Sequence, residues 1–75
     1  MSELTKIIAD ILRLPESRVI APLTMAETET WDSLRHLELV VAIETAFAIE
    51  LTGDDIVSMT SLTGIEQVLA AKGVP

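Results

Sequence analysis

The sequence predicts an all-α fold: a small bundle of three main helices plus one short helix ahead of the last. Three observations carry this. Apolar residues recur at helical spacing in three separate stretches, and no stretch alternates at the strand period for long enough to build a sheet. A Ser, Thr or Asp stands just ahead of each stretch, where a helix start needs a side-chain acceptor. Cysteine is absent, and one Trp and one Phe are the only aromatics, so a 49% hydrophobic composition must supply an aliphatic core without covalent staples. The 75 residues are read as one domain, 1–75. A domain that short buries only about 60% of its unfolded surface, so its core is thin.

The first helix is expected from Glu3 to Leu14, with Ser2 as its cap and Glu3 at the positive end of the dipole. Leu4, Ile7, Ile8, Ile11 and Leu12 make one buried stripe, and Pro15 ends the helix. Residues 15–31 form a long connection whose Val19, Ile20, Pro22 and Leu23 are apolar enough to lie against the bundle. Its Glu27-Thr28-Glu29-Thr30 stretch is expected to be exposed. Connections this long are uncommon and often functional. The second helix starts at Asp32 or Ser33 and runs to about Phe47. Thr52 caps a short third helix through Val57. Ser61 or Thr63 caps the last, which turns Leu62, Ile65, Val68 and Leu69 inward and stops at Gly73, with Lys72 at its negative end.

The second helix has two apolar faces. At ~100° per residue, His36, Leu39, Val40, Ile43 and Phe47 fall on one core stripe. Leu34, Leu37 and Val41 fall elsewhere, among Glu38 and Glu44. Burying a carboxylate is costly, so this second face is expected at the surface, as a docking site framed by acids.

Charge and motif spacing exclude several functions. The net charge is -7 with five basic residues, which leaves no electrostatic footprint for nucleic acid; an acidic surface suits basic protein patches as partners, and on charge alone keeping a small protein in solution is the simpler role. No apolar run reaches the ~18 residues of a membrane span. The first residues show neither a basic leader nor an apolar signal core, so a soluble cytoplasmic monomer is expected. One His and no Cys give no zinc set, and the acids at Glu50, Asp54 and Asp55 lack calcium-loop spacing. Asp32, Ser33 and His36 do not form a triad. Asp32 and Ser33 are neighbours, so Asp32 is poorly placed to orient His36 from behind, and no nucleophile elbow is present. No catalytic residue is expected. Ser33 reads as a helix-start serine, and its hydroxyl is an accessible place for modification by another enzyme, where the dipole tolerates a phosphodiester.

Asp32-Ser33-Leu34, then Glu38-Leu39-Val40, Ala42-Ile43-Glu44 and Phe47 appear in step, followed by Ile49-Glu50-Leu51. This register resembles the second helix of acyl carrier proteins, and helix order and length are similar along the whole chain. The resemblance implies a four-helix bundle with a short third helix. It implies that a phosphopantetheinyl transferase attaches 4′-phosphopantetheine from coenzyme A to Ser33, and that the arm carries acyl groups as thioesters. It implies that Asp32, Leu34, Leu37, Glu38, Val41 and Glu44 dock on basic and apolar patches of loading, elongation or transfer enzymes. It also implies that Val40, Ile43, Phe47, Ile56 and Leu62 line an acyl pocket. Trp31, Arg35, His36 and Thr45 depart from the family's common residues, which fits a dedicated fatty acyl or polyketide-type pathway. An aminoacyl or peptidyl carrier is the alternative, although Gly usually precedes the motif there. An unmodified helical interaction module is a third reading, against which the intact Ser33 argues.

Overall fold

A computed structural model describes residues 3–74. Four helices follow in order: α1 Glu3–Leu12, α2 Ser33–Phe47, α3 Gly53–Ser58 and α4 Leu62–Ala71, with one 3₁₀ turn at Glu16–Arg18. No strand occurs among the described residues, and the all-α expectation holds. Ser2, expected as the first cap, lies outside them.

The other expected caps are in place. Asp32 Oδ1 accepts the Arg35 N–H at 2.9 Å. Thr52 and Asp55 form a reciprocal capping box at the start of α3. Ser61, not Thr63, caps α4 through the Gly64 N–H. The stops of α1, α2 and α4 share one mechanism. Arg13, Ala48 and Gly73 each take a left-handed conformation. The following N–H then reaches back five residues, as in Leu14 to Ala9, Ile49 to Glu44 and Val74 to Leu69. The first helix therefore ends at Leu12, two residues before the expected Leu14. Its last turn is closed through Arg13, which leaves Leu14 outside the helix ahead of Pro15, where the residue before a proline disfavours helical backbone.

Ile8, Leu12, Leu39, Ile43, Met59 and Ile65 have no exposed surface and form the centre of the core. Trp31 and Val19 are buried beside them. Leu4, Ile7, Ile11, Val68 and Phe47 are only half-buried against this cluster. Phe47, expected on the core stripe, sits at the last turn of α2, where neighbouring helix ends leave one side of its ring open.

The long connection is strapped to the α3–α4 junction. Met25 N–H donates to the Thr60 carbonyl at 2.8 Å, Leu62 N–H donates to the Leu23 carbonyl at 2.9 Å, and Thr24 pairs with Ser61. Val19 and Leu23 turn inward, as expected. Ile20, 65% exposed, and Pro22 do not: the chain bends at Ala21–Pro22 and leaves residues 20–22 in solvent. Thr28 and Thr30 are half-buried rather than exposed, and the Thr28 hydroxyl donates to the Thr24 carbonyl. Gly64 lets α4 start directly against α3: a Cβ there would overlap the Ser58 carbonyl.

Candidate functional site

Ser33 is the first residue of α2 and is exposed. Its position follows from Asp32, whose extended backbone and capping carboxylate start the helix one residue earlier. The unpaired N–H groups of the first turn give the site a partial positive charge, which suits a phosphate ester. Ser33 opens onto a shallow groove of about 320 Å³ between α2 and α3, lined also by Met25, His36, Leu37, Ile56, Val57 and Thr60. Met25, Leu37, Ile56 and Val57 make its walls apolar.

His36 forms part of this wall and is buried. Trp31 Nε1–H donates to His36 Nδ1 at 3.0 Å. An indole N–H can only donate, so Nδ1 is the acceptor and Nε2 carries the proton. Nε2–H donates to the Ile56 carbonyl at 2.9 Å. Both ring nitrogens are thus engaged with groups other than Ser33 and Asp32. Sequence reasoning placed His36 on the core side but missed both partners. The tryptophan five residues ahead of the histidine was the available signal, since a buried indole needs an acceptor.

The structure separates the expected docking face from the core. Leu34, Leu37 and Val41 are 67%, 57% and 61% exposed, and Asp32 and Glu38 are exposed beside them. Glu44 is half-buried, and its Oε2 accepts the Leu51 N–H at 2.9 Å, which fixes the segment after α2. Arg35 is also committed. Its Nη1 donates to the Ile11 carbonyl at 3.4 Å, near the end of α1, and its Nε lies 3.8 Å from Glu38. Neither partnership is visible from helical spacing.

The residues expected to line an acyl pocket are not gathered in one place. Ile56 lines the groove beside Ser33. Ile43 and Leu62 are buried in the core cluster, and Val40 is buried outside it. Phe47 lines a different cleft, with Leu4, Leu69 and Val74, at the other end of α2, about 21 Å along the helix from Ser33 by rise per residue.

The acids of α3 serve the fold. Asp55 accepts from the Thr52 N–H at 3.0 Å and meets Lys72 Nζ at 2.9 Å. The Thr52 backbone bond first, then the Lys72 ammonium, hold its carboxyl below the usual carboxylate range. Among the described residues no three His, Cys, Asp or Glu side chains gather as a metal site.

An exposed serine at a helix start, set at the rim of an apolar groove on a small acidic bundle, is an arrangement suited to a protein that carries a group on a side-chain hydroxyl. Comparison with known proteins agrees. No protein-family model matches the chain. It is 31% identical over 70 residues to polyketide-8 synthase acyl carrier protein 2 of Streptomyces avermitilis, across 93% of this chain and 80% of that protein. The chain belongs to the acyl carrier protein family, and its role is that of a carrier, not an enzyme. Among the described residues no helix is long and apolar enough to cross a membrane.

Proposed function

We propose that this protein carries acyl groups as thioesters on a 4′-phosphopantetheine arm attached to Ser33, and presents them to the synthase enzymes of a polyketide-type or other dedicated acyl pathway. The observation that carries this reading is the exposed Ser33 hydroxyl at the start of α2, opening on an apolar groove. A phosphopantetheinyl transferase would join Ser33 Oγ to the phosphate of coenzyme A, with the nucleotide half of the coenzyme leaving. The arm supplies a terminal thiol, and with it the thioester. This chain's own contributions are the accessible hydroxyl, a helix start that tolerates the phosphodiester, and Met25, Leu37, Ile56 and Val57 as an apolar bed beside it.

Docking falls to the outer face of α2. Leu34, Leu37 and Val41 give an apolar centre, Asp32 and Glu38 give the acids, and Glu44 contributes at one edge. Such a face fits an enzyme patch of apolar residues rimmed by Lys and Arg. The polyketide assignment draws on the streptomycete relative, and the departures at Trp31, Arg35, His36 and Thr45 support a pathway of its own.

Intact mass after incubation with coenzyme A and a broad-specificity transferase tests the reading. One phosphopantetheine should add to the protein, and none to the Ser33→Ala variant. An unchanged mass, or addition that survives Ser33→Ala, overturns it.

A further inference from the structure

Among the described residues His36 is the one ring in the wall of the Ser33 groove, and it is bonded on both sides. Trp31 belongs to the end of the long connection and Ile56 to α3, so the imidazole ties α2 to two other parts of the chain. It is 7% exposed, whereas Leu39, Ile43, Met59 and Ile65 have no exposed surface at all. The groove lies open to solvent on one side of it, and the aliphatic core lies on the other. The carrier reading, on which this inference rests, hangs an acyl chain from Ser33 within reach of this wall. A chain entering the core there must push the imidazole aside. The buried Trp31 N–H then loses its bond, and the displaced ring needs new partners. Those losses add to the cost of parting α2 from α3, and together they oppose the gain from burying the chain's methylenes.

We propose that His36 closes the seam between α2 and α3, so that cargo on Ser33 lies in the surface groove and stays out of the core. The chemical class this favours is an acyl chain with oxygen atoms along its length. Such a chain keeps its hydrogen bonds to water in an open groove and would lose them among Leu39, Ile43 and Ile65. His36 is a positioning residue in this account, because it shapes where the cargo rests and takes no part in its chemistry.

The test uses the protein loaded through its arm with hexanoyl or dodecanoyl chains and compared with the unacylated holo form by methyl NMR. Shifts should be confined to Met25, Leu37, Ile56 and Val57. Leu39, Ile43, Met59 and Ile65 should stay unmoved at both lengths, and the imidazole nitrogen resonances should keep the pattern of an Nε2–H tautomer. His36→Ala should admit the dodecanoyl chain, moving the core methyls and slowing hydroxylamine release by about tenfold. Should that variant not fold, Trp31→Phe removes the indole donor, keeps an aromatic ring, and should move the same core methyls. Core shifts that grow with chain length in the unaltered protein overturn the proposal, as does unaltered exclusion in both variants. A Ser33 that accepts no phosphopantetheine is a separate failure, of the carrier reading. Ser33→Cys alkylated with the same chain lengths then still reads whether the seam admits them.

Discussion

The two faces of α2 are built from the same residue types and have opposite surroundings. On one, Leu39 and Ile43 are sealed in the core with no exposed surface; on the other, Leu34, Leu37 and Val41 are each more than half exposed. Leucine, isoleucine and valine gain similarly from burial, so intrinsic hydrophobicity does not decide which face turns in. Their neighbours do. Glu38 shares the outer face and would be costly to bury, whereas the inner face carries only His36 as a polar group, and that ring has partners for both nitrogens. A helix that keeps apolar side chains in water beside acids is shaped for something other than its own stability.

That contrast can be broken at three points. The largest effect is expected at the inner face. Ile43→Ala should destabilise the protein by about 2–5 kcal/mol in urea or thermal unfolding, as for other fully buried truncations. A loss below about 1 kcal/mol would mean that the inner face is not the core. The flank against α3 should respond to acid, because its polar anchors include Asp55. The folded Asp55 carboxyl sits below its ordinary range, so its contribution is present above that range and is lost as pH falls through the lowered value. Amide exchange in Gly53–Ser58 should therefore quicken in acid before that of α2, and Asp55→Asn should already be faster at neutral pH. Equal protection of α3 and α2 throughout an acid titration would remove the distinction. The smallest effect on folding is expected at the outer face. Val41→Asp should change stability by no more than about 0.5 kcal/mol while weakening capture by a partner synthase. A large melting shift would place Val41 in the core, and unchanged binding would take the outer face out of docking.

Much of this was legible in the sequence, and what was not has a common cause. Asp32, Thr52 and Ser61 announce helix starts because capping is local: the side chain and the N–H it accepts are three residues apart. The two faces of α2 were equally readable, since helical periodicity sorts residues by angle. Periodicity does not say what stands opposite. Arg35 bonded to Ile11, Glu44 to Leu51 and His36 to Ile56 each join parts of the chain that meet only after folding. The same limit explains Phe47, whose angle is right for the core but whose place at the helix end leaves it half-covered. It explains the candidate pocket too. Val40 and Ile43 have the chemistry to hold an acyl chain, yet both are buried away from the groove, whereas Met25 and Val57 border the groove at Ser33 without any periodic signal to mark them.

The strap of Met25 and Leu23 onto Thr60 and Leu62 joins residues on opposite sides of α2 and α3 in the chain. No short segment can form it alone, so it assembles only after the intervening helices have brought the α3–α4 junction round. The entropy of closing such a loop rises only with the logarithm of its length, about 0.6 kcal/mol for each doubling. Residues inserted at the exposed Ala21–Pro22 bend lie outside that loop, on the path from α1 to the strap, and by the same logarithm would lengthen that path at little thermodynamic cost, with α2 still starting at Ser33 behind its Asp32 cap. The stretch of chain in front of Ser33 can thus change in length while the start of α2 stays where Asp32 sets it.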